Sequence, residues 1–206
     1  EYRDSVRPVT VEGERRVLLV ARPVDQQEAA DEEAAYTDVV TDVHNRRYFE
    51  ERLRMRHVTG GVAIIDLDDF KMVNDTFGHR VGDLALGVVA AAISDNIRSI
   101  DQLVRYGGDE FVIVMPDIAP DDFARCLRHV SEAIRRAVVP GNEQIGLSAC
   151  ASGVRVSGET VEEGVRRAEP LLNHAKTRRG AVVTDADASE TIRSQKPLVL
   201  IADDSK

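Results

Sequence analysis

Two β-rich runs, Leu103 to Tyr106 and Phe111 to Met115, flank Gly107-Gly108. Paired glycines between such runs predict a hairpin, because tight turns of that kind need positive φ. Elsewhere, helical and strand patterns alternate. Asn45 predicts the cap of a helix through Tyr48, Phe49 and Leu53. Val62 to Ile65 reads as a buried strand ending at Asp66. Leu86, Val89, Ile93 and Ile97 step by three and four, which predicts a helix from about Val81 to Ile97. Pro120, Asp121 and Asp122 open another helix, with Phe123, Leu127, Val130, Ile134 and Val138 on its stripe and Pro140-Gly141 as its stop. Leu147 to Val156 predicts a strand, Thr160 to Lys176 a helix, and Ala181 to Thr184 a last strand. A hairpin inside an alternating order predicts an α/β (α+β) fold, with a mixed central sheet and flanking helices.

Composition limits what surrounds this core. The chain has 206 residues, 43% of them apolar, and a net charge of −9 from 27 basic and 36 acidic residues. That is enough for one domain with extensions, and it excludes a disordered chain. The acidic balance argues against a nucleic-acid polymer as partner. No apolar run approaches the roughly 18 residues of a membrane span, so no membrane contact is expected within this stretch. Cys126 and Cys150 form no ligand or disulfide pattern, and the five histidines (His44, His57, His79, His129 and His174) have no ligand spacing; a reducing cytoplasm is the default location.

The expected organisation has four parts. Residues 1–24 would be the end of a truncated upstream sensor domain, with Arg16 to Ala21 a strand lacking obvious partners. Residues 25–36, rich in helix formers, would be a linker helix. Residues 37–184 hold the globular domain. Residues 185–206 would be a linker and the first strand of a truncated domain, ending in Asp203-Asp204.

The chemistry gathers around two acidic groups. Period two puts Asp66 and Asp68 on one side of a strand end. Asp109-Glu110 follows the glycine pair. Buried carboxylates are costly unless they are paired or bind a cation. If the hairpin lies beside the first strand, Asp66 and Asp109 converge, and converging carboxylates with open positions suit Mg²⁺. Gly107 and Gly108, lacking side chains, would let a bulky phosphorylated ligand approach the backbone.

The segment from Asp66 through Lys71, Asn74 and Asp83, together with Arg105-Tyr-Gly-Gly-Asp-Glu-Phe111, resembles the GGDEF family of diguanylate cyclases. The resemblance spans roughly residues 36–184. It implies a fold like the palm domain of nucleotidyl cyclases, with a ferredoxin-like core. It implies condensation of two GTP into cyclic di-GMP with release of two pyrophosphates, by a homodimer using Mg²⁺ (or Mn²⁺). Asp66, Asp109, Glu110 and the Leu67 carbonyl match the metal ligands. Asn74 and Asp83 match the guanine-binding pair: a carboxylate accepts both N1–H and N2–H of guanine, an edge adenine lacks. Asp69, Phe70 and Lys71 at the turn, Lys176, Arg179 and the two glycines match the substrate-binding surface, with Asp109, Glu110 and Lys71 nearest the chemistry. Glu110 could ligate metal or help take the proton from the attacking hydroxyl. Arg98-Ser-Ile-Asp101 resembles the family's inhibitory site for cyclic di-GMP. The tail from Lys196 resembles the opening of a response-regulator receiver domain.

Two departures stand out. The family usually has Asp-x-Leu-Thr-Gly-Leu near the domain start, whereas here Asp38-Val-Val-Thr-Asp42 puts an acid in place of glycine. Near the end the family tends to have Ala-Lys-x-x-Gly-Arg, and here the last two residues are Arg179-Gly180. These departures keep two other readings open: a module of the same family that binds GTP or cyclic di-GMP without turnover, and a dimerisation element that binds no nucleotide.

Overall fold

The computed structural model describes residues 2–11, 14–23 and 34–187, with side chains described over 34–187. The chain divides into two units, Glu1–Thr37 and Asp38–Lys206. In the first, β1 (Tyr2–Val11) and β2 (Glu14–Pro23) form an antiparallel ribbon in which Val6 faces Leu19. The apolar run at Arg16 to Ala21 therefore has a partner, contrary to expectation. An isolated apolar pattern shows a strand but not its mate, and β1 is too polar to announce itself. Most of the expected linker helix and the whole receiver-like tail lie outside the described residues.

The second unit is built on a five-stranded sheet. Its elements are α1 (Arg46–Tyr48), continued by a π-helical turn (Phe49–Leu53); β3 (His57–Leu67); α2 (Phe70–Phe77); α3 (His79–Ser94); β4 (Gln102–Arg105); β5 (Glu110–Pro116); α4 (Pro120–Arg136); β6 (Ala149–Thr160); α5 (Val161–Ala175); and β7 (Val182–Thr184). The strand order is β4-β5-β3-β6-β7. All neighbours are antiparallel except β6 and β7, which run parallel. The sheet is mixed, with helices on both faces.

Alternation along β3 assigns the faces. Ala63, Ile65 and Leu67 pack with Leu86, Val89 and Ile93 of α3 and Phe123, Leu127 and Ile134 of α4. Val62 and Ile64 pack with Phe49, Leu53 and, from α5, Val161 and Val165. Each fully buried side chain of this kind contributes about 1.5–3 kcal/mol relative to exposure. Local signals fix the helix ends. Asn45 caps α1 by accepting from the Tyr48 N–H at 3.0 Å. Thr160 and Glu163 form a reciprocal capping box at α5.

Three expectations need correction. The helix expected from Val81 begins at His79, and a separate helix, α2, precedes it, broken at Gly78 where φ is +83°. Helix α4 ends at Arg136, before the Pro140-Gly141 stop, so Val138 is exposed and Val139 is buried in its place. Neither hairpin glycine adopts the left-handed conformation; the glycines that do are Gly60, Gly78, Gly141, Gly158 and Gly180. The β4–β5 connection is a longer loop, closed by the Tyr106 and Gly107 N–H groups donating to the Glu110 carbonyl. Gly107 serves another purpose: a Cβ there would lie 2.8 Å from Glu110 Oε2.

Candidate functional site

The C-terminal end of β3 meets the start of β5 and the start of β6 because β3 is the central strand. Register then places Asp66 opposite Glu110 on one side and Cys150 on the other. The Leu67 N–H donates to the Asp109 carbonyl at 3.2 Å. The two acidic groups, far apart in sequence, are thus brought together at one sheet end.

Charge in this cluster is dense. Burial pushes the Asp66 carboxyl above the usual range, Asp109 and Asp68 add to that, and the Lys176 ammonium opposes it. Burial likewise raises Glu110, helped by the charges of Asp66 and Asp109 and opposed by Lys176. Lys176, at the end of α5, donates to Asp66 Oδ2 at 2.8 Å, and its own pKa is raised: burial opposes the shift, but the bond to Asp66 wins. Three carboxylates share one ammonium. That donor set fits a hard divalent cation, which would neutralise the excess negative charge. Among the described residues, no three acidic, His or Cys side chains already stand in ligand geometry. A cation there would need a further oxygen, which the Leu67 carbonyl next to Asp66 could supply, and Lys176 would have to give up Asp66 Oδ2.

Beyond Leu67 the chain turns through Asp69, whose φ is +58°, into α2. Phe70 is buried beneath this turn, while Asp69 and Lys71 are exposed. Asn74 is half-buried inside α2 and faces the start of α3; a Cβ on Gly82 would overlap its Oδ1. Asp83 is exposed on α3. No acidic residue lies in the first turn of α3, so Asp83 does not cap that helix. Asn74 and Asp83 thus lie on either side of the α2–α3 break at Gly78. A cleft of about 250 Å³ runs along α2 and is lined by Asp68, Asp69, Phe70, Val73, Leu147 and Arg179, among others. Asn74 and Asp83 are not in its wall.

The turn after α5 carries Lys176 and Arg179. Arg179 Nη1 lies 3.5 Å from Asp69 Oδ2, and its Nη2 donates to the Gly146 carbonyl at 3.3 Å. It therefore reaches the start of α2. Gly108 is exposed on the β4–β5 loop, with open space around it.

Arg98 and Asp101 lie apart from this cluster, at the opposite end of β5 from Glu110. The Asp101 carboxylate accepts from the Arg98 backbone N–H at 2.8 Å and from its guanidinium at 2.6 Å. Arg98 also donates to the Pro116 carbonyl at 2.6 Å. The Asp101 side chain is 1% exposed and that of Arg98 41%. The surface-pair geometry is present, with the acid buried and the arginine turned partly outward.

The family model described as "Diguanylate cyclase, GGDEF domain" matches residues 35–181. The chain belongs to the GGDEF family. It is 38% identical over 167 residues to the response regulator PleD of Caulobacter vibrioides, covering 75% of this chain and 37% of PleD. It is 34% identical over 151 residues to the diguanylate cyclase DosC of Escherichia coli K12, covering 68% of this chain and 33% of DosC. The chain thus spans about a third of the length of these curated relatives. Among solved structures, it resembles the diguanylate cyclase SiaD, crystallised with its activator SiaC from Pseudomonas aeruginosa, with TM-score 0.68 and 34% identity over 77% of this chain and 65% of that one. It also resembles the GGDEF domain of Caulobacter crescentus DgcB, crystallised with c-di-GMP, with TM-score 0.67 and 26% identity over 73% of this chain and 95% of that one.

In this GGDEF domain both sequence departures are absorbed locally. Asp42 takes a φ of +59°, the conformation a glycine would adopt, and its N–H still closes on the Asp38 carbonyl at 2.8 Å. Aspartate tolerates that region better than most residues. Gly180 takes a φ of +67°, so the transposed pair keeps a glycine turn with an arginine beside it.

The sequence named two residues without a role that hold the site. Asp38 Oδ1 receives Arg105 Nη1 at 2.9 Å, and Arg105 Nη2 also donates to the Gly108 carbonyl at 2.8 Å. Arg105 thereby ties the glycine loop to the turn at the domain start. Asp68 is the second; its period-two relation to Asp66 was the available signal. Cys150 is packed: burial, then its contact with Asp68, pushes its thiol up. Among the described residues no helix is long and apolar enough to cross a membrane.

Proposed function

We propose that this GGDEF domain condenses two GTP into cyclic di-GMP and two pyrophosphates, acting as a homodimer. The observation that carries the reading is the convergence of Asp66, Asp109, Glu110 and Lys176 at one sheet end. Asp83 and Asn74 would read the guanine edge, which favours GTP over ATP. Backbone N–H groups at the start of α2, Lys71, Lys176 and Arg179 would hold the triphosphate. Mg²⁺ held by Asp66, the Leu67 carbonyl, Asp109 and Glu110 would neutralise charge at the α-phosphate and lower the pKa of the attacking hydroxyl.

The residues then orient the reaction. The 3′-oxygen of one GTP attacks the α-phosphorus of the other, pyrophosphate leaves in line, and the hydroxyl proton passes towards the carboxylate cluster. One such site holds one GTP, so two domains must face each other. Arg98 and Asp101 would bind the cyclic product: the outward-turned guanidinium can fork onto a guanine O6/N7 edge once it leaves Asp101, whose freed carboxylate accepts N1–H and N2–H. Incubation with GTP and Mg²⁺, with products identified by mass, tests the reading. Cyclic di-GMP is the expected product; GTP recovered unchanged would leave only a nucleotide-binding module.

A further inference from the structure

The Asp68 carboxylate joins three segments of the domain. Its Oδ2 accepts from the Gly180 N–H at 2.8 Å and from Ser148 Oγ at 2.5 Å, and its Oδ1 receives the Cys150 thiol at 3.0 Å. Its own N–H donates to the Ser148 carbonyl at 2.9 Å. The end of β3, the start of β6 and the turn between α5 and β7 therefore share one half-buried carboxylate. With Asp66 holding Lys176 and Asp68 holding Gly180, that turn is gripped at both ends by two acids, one at the end of β3 and one just beyond it.

Arg179 lies inside the gripped turn, one residue before Gly180. Its guanidinium reaches back to Asp69 and Gly146, over the first residues of α2. Backbone bonds hold the turn on either side, from the Arg178 N–H to the Ala175 carbonyl and from the Ala181 N–H to the Arg178 carbonyl, but the Gly180 N–H next to Arg179 is held by Asp68. The Arg179 side chain is 57% exposed, and fixing the backbone beside it before any ligand arrives narrows the directions it samples, which is how positioning lowers the entropic cost of binding.

We infer that Asp68 is a positioning residue: it orients the Lys176–Gly180 turn so that Arg179 faces the distal phosphates of the nucleotide. The inference rests on the GTP reading above. Asp68 touches neither substrate nor ion; it acts through Gly180 and, by way of β6, through Ser148. Because the turn meets only the phosphate end, the effect of losing Asp68 depends on which nucleotide is bound. A general loss of packing would weaken every nucleotide alike.

The test uses the full chain with Mg²⁺ and two probes, 3′-deoxy-GTP, which lacks the attacking hydroxyl, and GMP, which lacks the distal phosphates. Binding is measured by titration calorimetry for the wild type, Asp68→Asn and Ser148→Ala. In Asp68→Asn the charge is lost and an amide N–H₂ replaces one of the two accepting oxygens, so the Gly180 bond weakens, and 3′-deoxy-GTP should bind about tenfold more weakly while GMP stays within about twofold. Ser148→Ala keeps the Gly180 bond but loosens the carboxylate, so it should shift the ratio in the same direction by less. Equal changes for both probes, or none, would overturn the inference. If Asp68→Asn shows no melting transition, Ser148→Ala decides alone, and an unchanged ratio overturns it. A wild type that binds neither probe removes the GTP reading itself, before any substitution is considered.

Discussion

Lys176 Nζ sits 2.8 Å from Asp66 Oδ2, although the two residues are 110 positions apart. The ammonium balances part of a charge cluster that also contains Asp109 and Glu110. A cation brought to this cluster competes with Lys176 for the same oxygen, and the displaced ammonium then faces the triphosphate. Lys176→Ala should accordingly raise KM for GTP by about tenfold or more while tightening apparent Mg²⁺ binding in the absence of nucleotide. Calorimetric titration of Mg²⁺ with and without nucleotide checks both signs.

Asp109→Ala removes a half-buried loop carboxylate with little packing. Product formation should fall by about a thousandfold or more, because the ion loses an anionic ligand. Stability should change by less than about 1 kcal/mol. Initial-rate assays and thermal melts on the same preparation separate the two effects, and a large drop in melting temperature would count against a purely chemical role.

Gly82→Ala places a methyl group against Asn74 Oδ1. Helix propensity alone would favour alanine by about 1 kcal/mol. The expectation is therefore a stability change near zero with KM for GTP raised about tenfold, as Asn74 is pushed off the guanine edge. The ratio of GTP to ATP binding should fall in parallel. Unaltered discrimination would mean that Asn74 does not read the base.

Asp38 links acid sensitivity to the glycine loop. Burial alone would raise its carboxyl, but hydrogen bonds from Thr41 and the Arg105 guanidinium hold it below its ordinary value of 3.8. A depressed folded pKa means that its stabilisation is complete above the ordinary value and is lost as pH falls through the lower folded one. Asp38→Asn should cost about 1–2 kcal/mol at neutral pH. The gap between wild type and variant should close below the ordinary carboxylate range, as followed by denaturant unfolding at neutral pH and near pH 3.

Arg98→Ala leaves the buried Asp101 carboxylate without its guanidinium. Inhibition by cyclic di-GMP should disappear, and the domain should lose about 1–3 kcal/mol of stability even without nucleotide. Product-inhibition curves and melts provide the two readouts. Inhibition that persists at the wild-type concentration would dissociate Arg98 from regulation.

Much of this domain was legible in its sequence because the relevant signals are local. The stripe Phe123, Leu127, Val130 and Ile134 is a period that a helix must bury, and all four are buried. Asn45 and Thr160 cap because short polar side chains reach N–H groups three residues on. The spacing of Asp66, Asn74, Asp83 and Asp109 carried the family. The β1 strand and the early end of α4 were not legible. Pairing in the first case and packing in the second outweighed local preference, and a polar strand such as β1 has no period that stands out.

By itself, the sequence determined most elements of the sheet domain, the mixed character of the sheet and the residues able to do chemistry. Tertiary structure alone decided that Asp66 meets Lys176, that Asp68 fastens Gly180 and that Asp38 anchors Arg105. It also decided that Asp42 takes a glycine's conformation and that the hairpin glycines do not. The reason is the strand order: β3 stands between β5 and β6, so its end collects groups from segments about forty to more than a hundred residues away. Contacts over such separations follow from how the whole sheet closes, and no local period encodes them.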